Sequence, residues 1–259
     1  MKKYNVFLST HPGRVRTVNE DSFVINEITK DIKKSSMNLR GLGMDEPLLC
    51  GVFDGMGGEK GGFEASDTAA LVASEYYRYL TGSGGEPERS IHDYVKNCTA
   101  LIKKYLYENK LSRGGTTFVM AYVKNGAARL FSMGDSRIYL SRGGILYRLS
   151  RDHTLAEKKF EANIFTREEA DRSRESHVLT RFLGMNEESA DFRAESYPIL
   201  TLNSGDRLLL CSDGLYDMCG DAELAALLRE RDATIALRDA ALKNGGADNI
   251  TCLMIEPSA

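Results

Sequence analysis

Strand-like segments arrive in blocks in this chain, with paired helices between the blocks. That order argues against a doubly wound parallel sheet, in which strand and helix alternate. Short runs of β-branched, aromatic and other apolar residues mark strands at Asn5 to Ser9, Ser22 to Asn26 and Leu48 to Phe53. Two helical patterns follow. Phe63 to Leu80 is rich in Ala, Leu and Tyr, and from Ser90 to Asn109 the residues Ile91, Tyr94, Val95, Cys98, Leu101, Ile102, Tyr105 and Leu106 recur at helical spacing. Gly82-Ser83-Gly84-Gly85 and Pro87 break the two apart, which predicts an antiparallel pair. Strands resume at Thr116 to Val123, Ala128 to Ser132, Arg137 to Ser141, Ile145 to Leu149 and Arg207 to Cys211. A second helical pair, Ala222 to Arg231 behind a capping Asp221 and Thr234 to Asn244 before Gly245-Gly246, precedes a last strand at Ile250 to Ile255. The expected class is α+β with antiparallel sheets.

A chain of 259 residues is expected to form one large domain, 1–259. Its 42% hydrophobic residues suffice for a core, and its 27% charged residues exclude a membrane protein. With 34 Lys and Arg against 37 Asp and Glu the formal net charge is -3, so the basic excess of a dedicated nucleic-acid binder is missing. The apolar run near the N-terminus is too short for a signal peptide and no stretch approaches a membrane span, which predicts a cytoplasmic protein. Cys50, Cys98, Cys211, Cys219 and Cys252 are scattered, with no Cys-x-x-Cys pair, and read as reduced thiols, not as disulfides or zinc ligands. Two polar segments stand apart. Glu27 to Glu46 reads as an extended hairpin or loop, and Ala156 to His177 is dense in charge, with capping-box spacing at Thr166-Arg167-Glu168-Glu169 that predicts a short helix. A loop that long inside a compact domain is often functional.

Three apolar runs finish on Asp beside a small residue: Cys50-Gly51-Val52-Phe53-Asp54-Gly55, Leu130-Phe131-Ser132-Met133-Gly134-Asp135-Ser136 and Leu208-Leu209-Leu210-Cys211-Ser212-Asp213-Gly214. Asp248 directly precedes the last strand, and Asn19-Glu20-Asp21 leads into the strand at Ser22. Taken singly, an Asp-Gly after a strand is more often a turn than a ligand. Five acidic sites in the same positional role are harder to dismiss. Two carboxylates ~5 Å apart repel by about 3 kcal/mol at an effective dielectric near 20, so a cluster either protonates or recruits cations. Oxygen ligation suits Mg2+ or Mn2+, while few His and scattered Cys disfavour zinc. Two such ions acidify a water, orient a phosphoryl group and offset charge in an in-line displacement. The implied chemistry is phosphoester hydrolysis.

Other motifs add less. Gly57-Gly58-Glu59-Lys60-Gly61-Gly62 lacks the order of a P-loop and reads as a tight turn into the next helix. Arg16, four residues before Glu20, is either an exposed arginine or a bidentate clamp for a phosphate. His153 either supplies a proton or holds a structural turn, and the second reading is favoured. No Gly-x-Ser-x-Gly elbow or cysteine signature supports a protein nucleophile.

In order, Arg16-Thr17-Val18-Asn19-Glu20-Asp21, Asp54-Gly55-Met56-Gly57-Gly58, Gly115-Thr116-Thr117, Gly134-Asp135-Ser136-Arg137, Asp152-His153-Thr154, Leu179-Thr180-Arg181-Phe182-Leu183-Gly184, Ser212-Asp213-Gly214-Leu215 and Asp248-Asn249-Ile250-Thr251 resemble the motifs of the type 2C metal-dependent protein Ser/Thr phosphatases, the PPM family. The resemblance spans nearly the whole chain and implies a sandwich of two antiparallel sheets flanked by helices on both sides. Carried over residue by residue, it implies that Asp54 bridges two Mn2+ or Mg2+ ions, the Gly55 carbonyl binds one, and Asp213 and Asp248 complete the direct ligands. Glu20 and Asp21 then act through metal-bound waters, Arg16 holds the substrate phosphate, Asn249 orients the site, and Asp135 with Asp213 takes a third ion. Leu155 to Val178 corresponds to the family's flap. Met56 stands where many eukaryotic members carry a His proposed as the acid. This form looks like the bacterial branch, in which a metal-bound water donates the proton.

The implied activity is hydrolysis of phosphoserine and phosphothreonine on proteins by a metal-bridging hydroxide, with a Ser/Thr kinase as the opposing enzyme, in a monomer that binds neither nucleic acid nor membrane. Two alternatives are a catalytically silent phosphoprotein-binding or regulatory domain of the same fold, and a two-metal phosphodiesterase. Retention of every acidic position weighs against the first, and a monoester clamp at Arg16 against the second.

Overall fold

The computed structural model describes residues 2–58 and 60–258, and every strand pair among them is antiparallel. A six-stranded sheet runs in the order Ile145–Arg148, Arg137–Arg142, Arg207–Cys211, Ile250–Pro257, Lys3–His11, Met37–Asp45. A second sheet runs Glu195–Ser196, Ala127–Met133, Phe118–Lys124, Leu48–Phe53, Ser22–Ile25, Ile28–Thr29, with Leu200–Thr201 also on Ala127–Met133. Gly55–Met56 and Gly115–Thr116 form a separate two-stranded ribbon.

The helices are α1 (Gly61–Gly82), α2 (Pro87–Glu108), α3 (Leu155–Glu161), α4 (Arg167–Arg172), α5 (Asp213–Tyr216), α6 (Asp221–Leu227) and α7 (Ala233–Lys243). The long helix pair covers the outer face of the second sheet, and α5 to α7 cover that of the first. Helices therefore flank the two sheets on both sides, the class the family resemblance implies.

Central strands read as unbroken apolar runs because both of their faces are buried. Along Phe118–Lys124, Phe118, Met120 and Tyr122 point at α1 and α2 while Val119, Ala121 and Val123 meet the other sheet. In Arg207–Cys211, Leu208 and Leu210 face the space between the sheets, and Leu209 and Cys211 face α5 to α7. The stripe of Ile91, Tyr94, Val95, Cys98 and Ile102 seats α2 on α1 and the second sheet. All five cysteines are free and buried.

Antiparallel register brings the functional chain ends to one edge. Ser22 pairs with Phe53 and Phe118 with Met133 in one sheet, and Arg137 pairs with Cys211 and His11 with Ile250 in the other. Asp21, Asp54, Asp135, Asp213 and Asp248 each lie within two residues of one of these pairs.

Several boundaries differ from expectation. Gly220, not Asp221, precedes α6, no side chain caps it, and the helix ends at Leu227, short of Arg231. Glu27 to Glu46 contributes Ile28–Thr29 to one sheet and a nine-residue edge strand, Met37–Asp45, to the other. From Leu155 to Val178 three short helices occur where one was expected: α3, capped by Thr154, α4, with the Thr166 and Glu169 capping box in place, and a 3-10 turn at Arg174–His177. Of the Gly57 to Gly62 turn, Glu59 lies outside the described residues.

Candidate active site

A cleft of about 480 Å3 opens at the shared edge. Arg16, Glu20, Asp54, Asp135, Asp213 and Asp248 line it, together with Gly55 to Gly58, Thr117 and His177 to Leu179. Five of the six acidic residues singled out in the sequence thus meet on one surface. Asp21 sits behind them, fully buried.

Each carboxylate is carried by backbone that other elements hold. The Asp54 amide donates to Thr117 Oγ1 (3.1 Å), and its carbonyl accepts from the Thr117 amide (2.9 Å) and Thr116 Oγ1 (2.8 Å). Thr117 Oγ1 in turn pairs with Ser136 Oγ (2.7 Å), joining the Asp54 and Asp135 turns. Ser212 Oγ donates to Asp21 Oδ2 (2.7 Å) and accepts from the Thr251 amide (3.0 Å), linking Asp213 and Asp248 to the Asp21 segment. Asn249 is a cross-brace. Its Nδ2 donates to the Pro12 and Val18 carbonyls (both 2.9 Å), and its Oδ1 accepts the Glu20 amide (2.7 Å).

Two glycines are required by close approach. A Cβ on Gly55 would lie 2.4 Å from the Gly62 carbonyl oxygen and 2.6 Å from that of Glu20, and one on Gly214 would lie 2.0 Å from the Asn249 oxygen. Gly55 itself lines the cleft beside Asp54.

The electrostatics are those of unneutralised acid. Burial, then the charges of Asp213 and Asp21, push Asp54 well above the usual carboxylate range; burial and Asp135 do the same to Asp213. Burial, then Asp152, raises Asp135 to about 7. Burial raises Asp21 to about 6, against the pull of Thr251, Ser212 and Lys30. Asp21 Oδ1 is buried with no hydrogen-bond partner. A set of oxygen donors held too close to ionise together, with one orphaned carboxylate oxygen, fits divalent cations of the Mg2+ or Mn2+ type.

Arg16 reaches the cleft but pairs with Asp248, Nη2 to Oδ2 at 2.7 Å, so the expected phosphate binder rests on an expected ligand. His153 is buried and structural: its Nδ1 accepts the Gly134 amide (3.0 Å), its Nε2 meets Glu195 (2.8 Å), and its backbone bridges Gly134 and Thr180. It braces the Asp135 turn from behind and does not line the cleft.

Sequence reasoning did not find four other contributors. His177, from the 3-10 turn, comes within 4.8 Å of the Asp213 and Asp217 carboxylates. Thr117 and Ser212 are hydroxyls inside the motifs whose bracing role only the fold displays. Lys30, in the polar segment, is buried against the Asp21 backbone.

Fold and cleft together define a hydrolase of phosphate esters that works with divalent cations. The protein phosphatase 2C profile matches residues 43–243. The Listeria innocua serine/threonine phosphatase stp is 28% identical over 254 residues, 95% of this chain and 93% of the relative. Protein phosphatase PhpP of Streptococcus pneumoniae is 31% identical over 209 residues, 78% and 82% of the two chains. The solved Mycobacterium tuberculosis serine/threonine phosphatase PstP/Ppp superposes with a TM-score of 0.80 at 25% identity, covering 99% of this chain and all of that one. The chain belongs to the protein phosphatase 2C family and is a metal-dependent protein phosphatase. None of the helices among the described residues is long and apolar enough to cross a membrane.

Proposed function

We propose that this phosphatase removes phosphate from phosphoserine and phosphothreonine on proteins, using two Mn2+ or Mg2+ ions held by Asp54, the Gly55 carbonyl, Asp213 and Asp248. The observation that carries the proposal is the convergence of Glu20, Asp54, Asp135, Asp213 and Asp248 on one cleft beside Arg16. When bound, the ions acidify the attacking water and offset the charge of an in-line displacement. Asp54 serves both ions, and Glu20 and Asp21 back the direct ligands. Asp135 with Asp213 provides a further, third position. Arg16 trades its Asp248 partner for the substrate phosphate, which its planar guanidinium grips through two parallel hydrogen bonds. Asn249 fixes the Glu20 amide and thereby the geometry of the Asn19 to Asp21 segment. Met56 lines the cleft and has no proton to give, so no side chain at that position acts as the acid. The chain 1–259 acts as one domain. Leu155 to Val178 is the flap; its end, His177 and Val178, reaches the cleft, as does Leu179 just after it. The proposed setting is a cytoplasmic monomer opposing a Ser/Thr kinase, with no nucleic-acid or membrane partner.

The test is phosphate release from a phosphothreonine peptide in Mn2+ and in EDTA, with Asp54→Ala and Asp213→Ala alongside. Activity should fall by at least about a thousandfold in EDTA and in both variants, the loss of a transition-state charge partner worth roughly 4 kcal/mol. Full activity in EDTA would overturn the proposal. A bis-substituted phosphodiester hydrolysed faster than the monoester would point to a phosphodiesterase instead.

A further inference from the structure

Lys30 follows a two-residue strand in a stretch whose composition reads as solvated loop, yet its side chain is buried. Its Nζ donates to the carbonyls of Asn19 (2.5 Å) and Asp21 (2.6 Å) and sits 5.3 Å from the centre of the Phe63 ring. Those two carbonyls flank Glu20. The Glu20 backbone is held at both ends as well, its amide by Asn249 Oδ1 and its carbonyl by Ser66 Oγ of α1. Asn19 Nδ2 completes the arrangement with a 2.8 Å bond to Thr10.

A buried ammonium is expensive unless its protons and charge are answered. Here backbone oxygens answer the protons, and Asp21, Asp67 and Glu20 supply the opposing field. The residues so clamped, Asn19 to Asp21, belong to neither helix nor strand, and of the two carboxylates they carry, Asp21 is repelled by Asp54 and Asp248. Mutual repulsion would drive such a strap outward while no cation is bound.

We propose that Lys30 is a positioning residue: an internal cation that clamps the Asn19–Asp21 strap and holds Glu20 and Asp21 at the cleft before any divalent ion arrives. The clamp acts on the ion site through the backbone, without touching substrate. This inference rests on the cation-binding role proposed above for the cleft.

The experiment compares the wild type with Lys30→Met, which keeps length and apolar stem, and Lys30→Arg, which keeps the charge. Mn2+ affinity is read by titration calorimetry on the metal-free proteins. Loss of an outer support of a metal site typically weakens affinity by about 10- to 100-fold. Lys30→Met should bind Mn2+ at least about tenfold more weakly, with kcat at saturating Mn2+ falling far less, and Lys30→Arg should recover part of the affinity. A core variant remote from the cleft, Leu80→Ala, should lower the melting temperature and leave Mn2+ affinity unchanged. Wild-type affinity in Lys30→Met, or an equal loss in Leu80→Ala, overturns the inference.

Should Lys30→Met fail to fold, amide exchange in the wild type decides. The Glu20 and Asp21 amides should be nearly as protected in EDTA as in Mn2+, and fast exchange in EDTA overturns the clamp. A wild type that takes up no Mn2+ would instead refute the proposed cation roles of the cleft, so the two failures are distinguishable.

Discussion

Neutralising one carboxylate should stabilise the metal-free protein at neutral pH, and Asp135 is the clearest place to test it. Its side chain is only 5% exposed, so water screens it little, and its carboxyl is raised from 3.8 to about 7. Between those values the unfolded chain is ionised while the folded chain keeps its proton. Stability in EDTA therefore falls as pH climbs from about 4 to 7 and levels off above. A displacement of roughly three pH units corresponds to about 4 kcal/mol. For a chain of this size each kcal/mol moves the melting temperature by about 2–4 °C. Asp135→Asn removes the titrating group and keeps an acceptor of the same shape, and the Tyr216 hydroxyl bond to residue 135 uses the backbone carbonyl. Thermal unfolding followed by circular dichroism in EDTA should place the variant at least roughly 8 °C above the wild type at pH 7.5, with the two converging near pH 4. Saturating Mn2+ should shrink the gap, because cations relieve the same charge in the wild type. A variant that melts at or below the wild type at pH 7.5 in EDTA would refute the electrostatic account of the cleft.

The pair of Arg16 with Asp248 is largely exposed, so Arg16→Ala should change unfolding stability by less than about 1 kcal/mol. In the same variant KM for a phosphopeptide should rise by roughly tenfold or more, the value of a charge-assisted hydrogen bond; an unchanged KM would remove Arg16 from substrate binding. Gly214→Ala sets a Cβ against the backbone oxygen of Asn249, which cannot move without shifting Asp248. Urea unfolding should show a loss of about 3 kcal/mol, the upper end of overpacking costs, and wild-type stability would mean that this turn relaxes more easily than its packing implies.

What was legible in the sequence depended on whether the causes of a structure were local. Leu208-Leu209-Leu210-Cys211 reads as a strand because both of its faces are buried, and the Asp that ends it marks the edge of the apolar layer. Thr166 and Glu169 cap α4 through bonds spanning three residues, so the signal was entirely in the local text. Met37–Asp45 gave no such signal. It is an edge strand whose side chains alternate between half-buried and exposed, and Gly41 and Gly43 interrupt its pattern. Its pairing with Lys3–His11 supplies the order that its own residues do not. Asp221 has the residue type of a cap but lies one position inside the helix, where its side chain cannot reach back to the free amides. The same distinction governs the cleft. The acidic positions were visible because each ends or begins an apolar run, whereas the pairing of Arg16 with Asp248 joins residues 232 apart in sequence.

Charge accounts for why Lys30 escaped notice and why it matters. A net charge of -3 says nothing about distribution, and a lysine followed by Asp31, Lys33 and Lys34 looks like one more solvated cation. In the folded chain Glu20, Asp21, Asp54, Asp135, Asp213 and Asp248 gather at one edge, with Arg16 on the open side and Lys30 behind. Fully ionised, the six carboxylates less those two fixed cations leave four negative charges, the complement of two divalent ions. Arg16 is exposed, while Lys30 is buried against the backbone. On the roles proposed above, one cation serves the substrate and the other the scaffold. A third divalent ion would leave the cleft positive by two, which a phosphate dianion would balance.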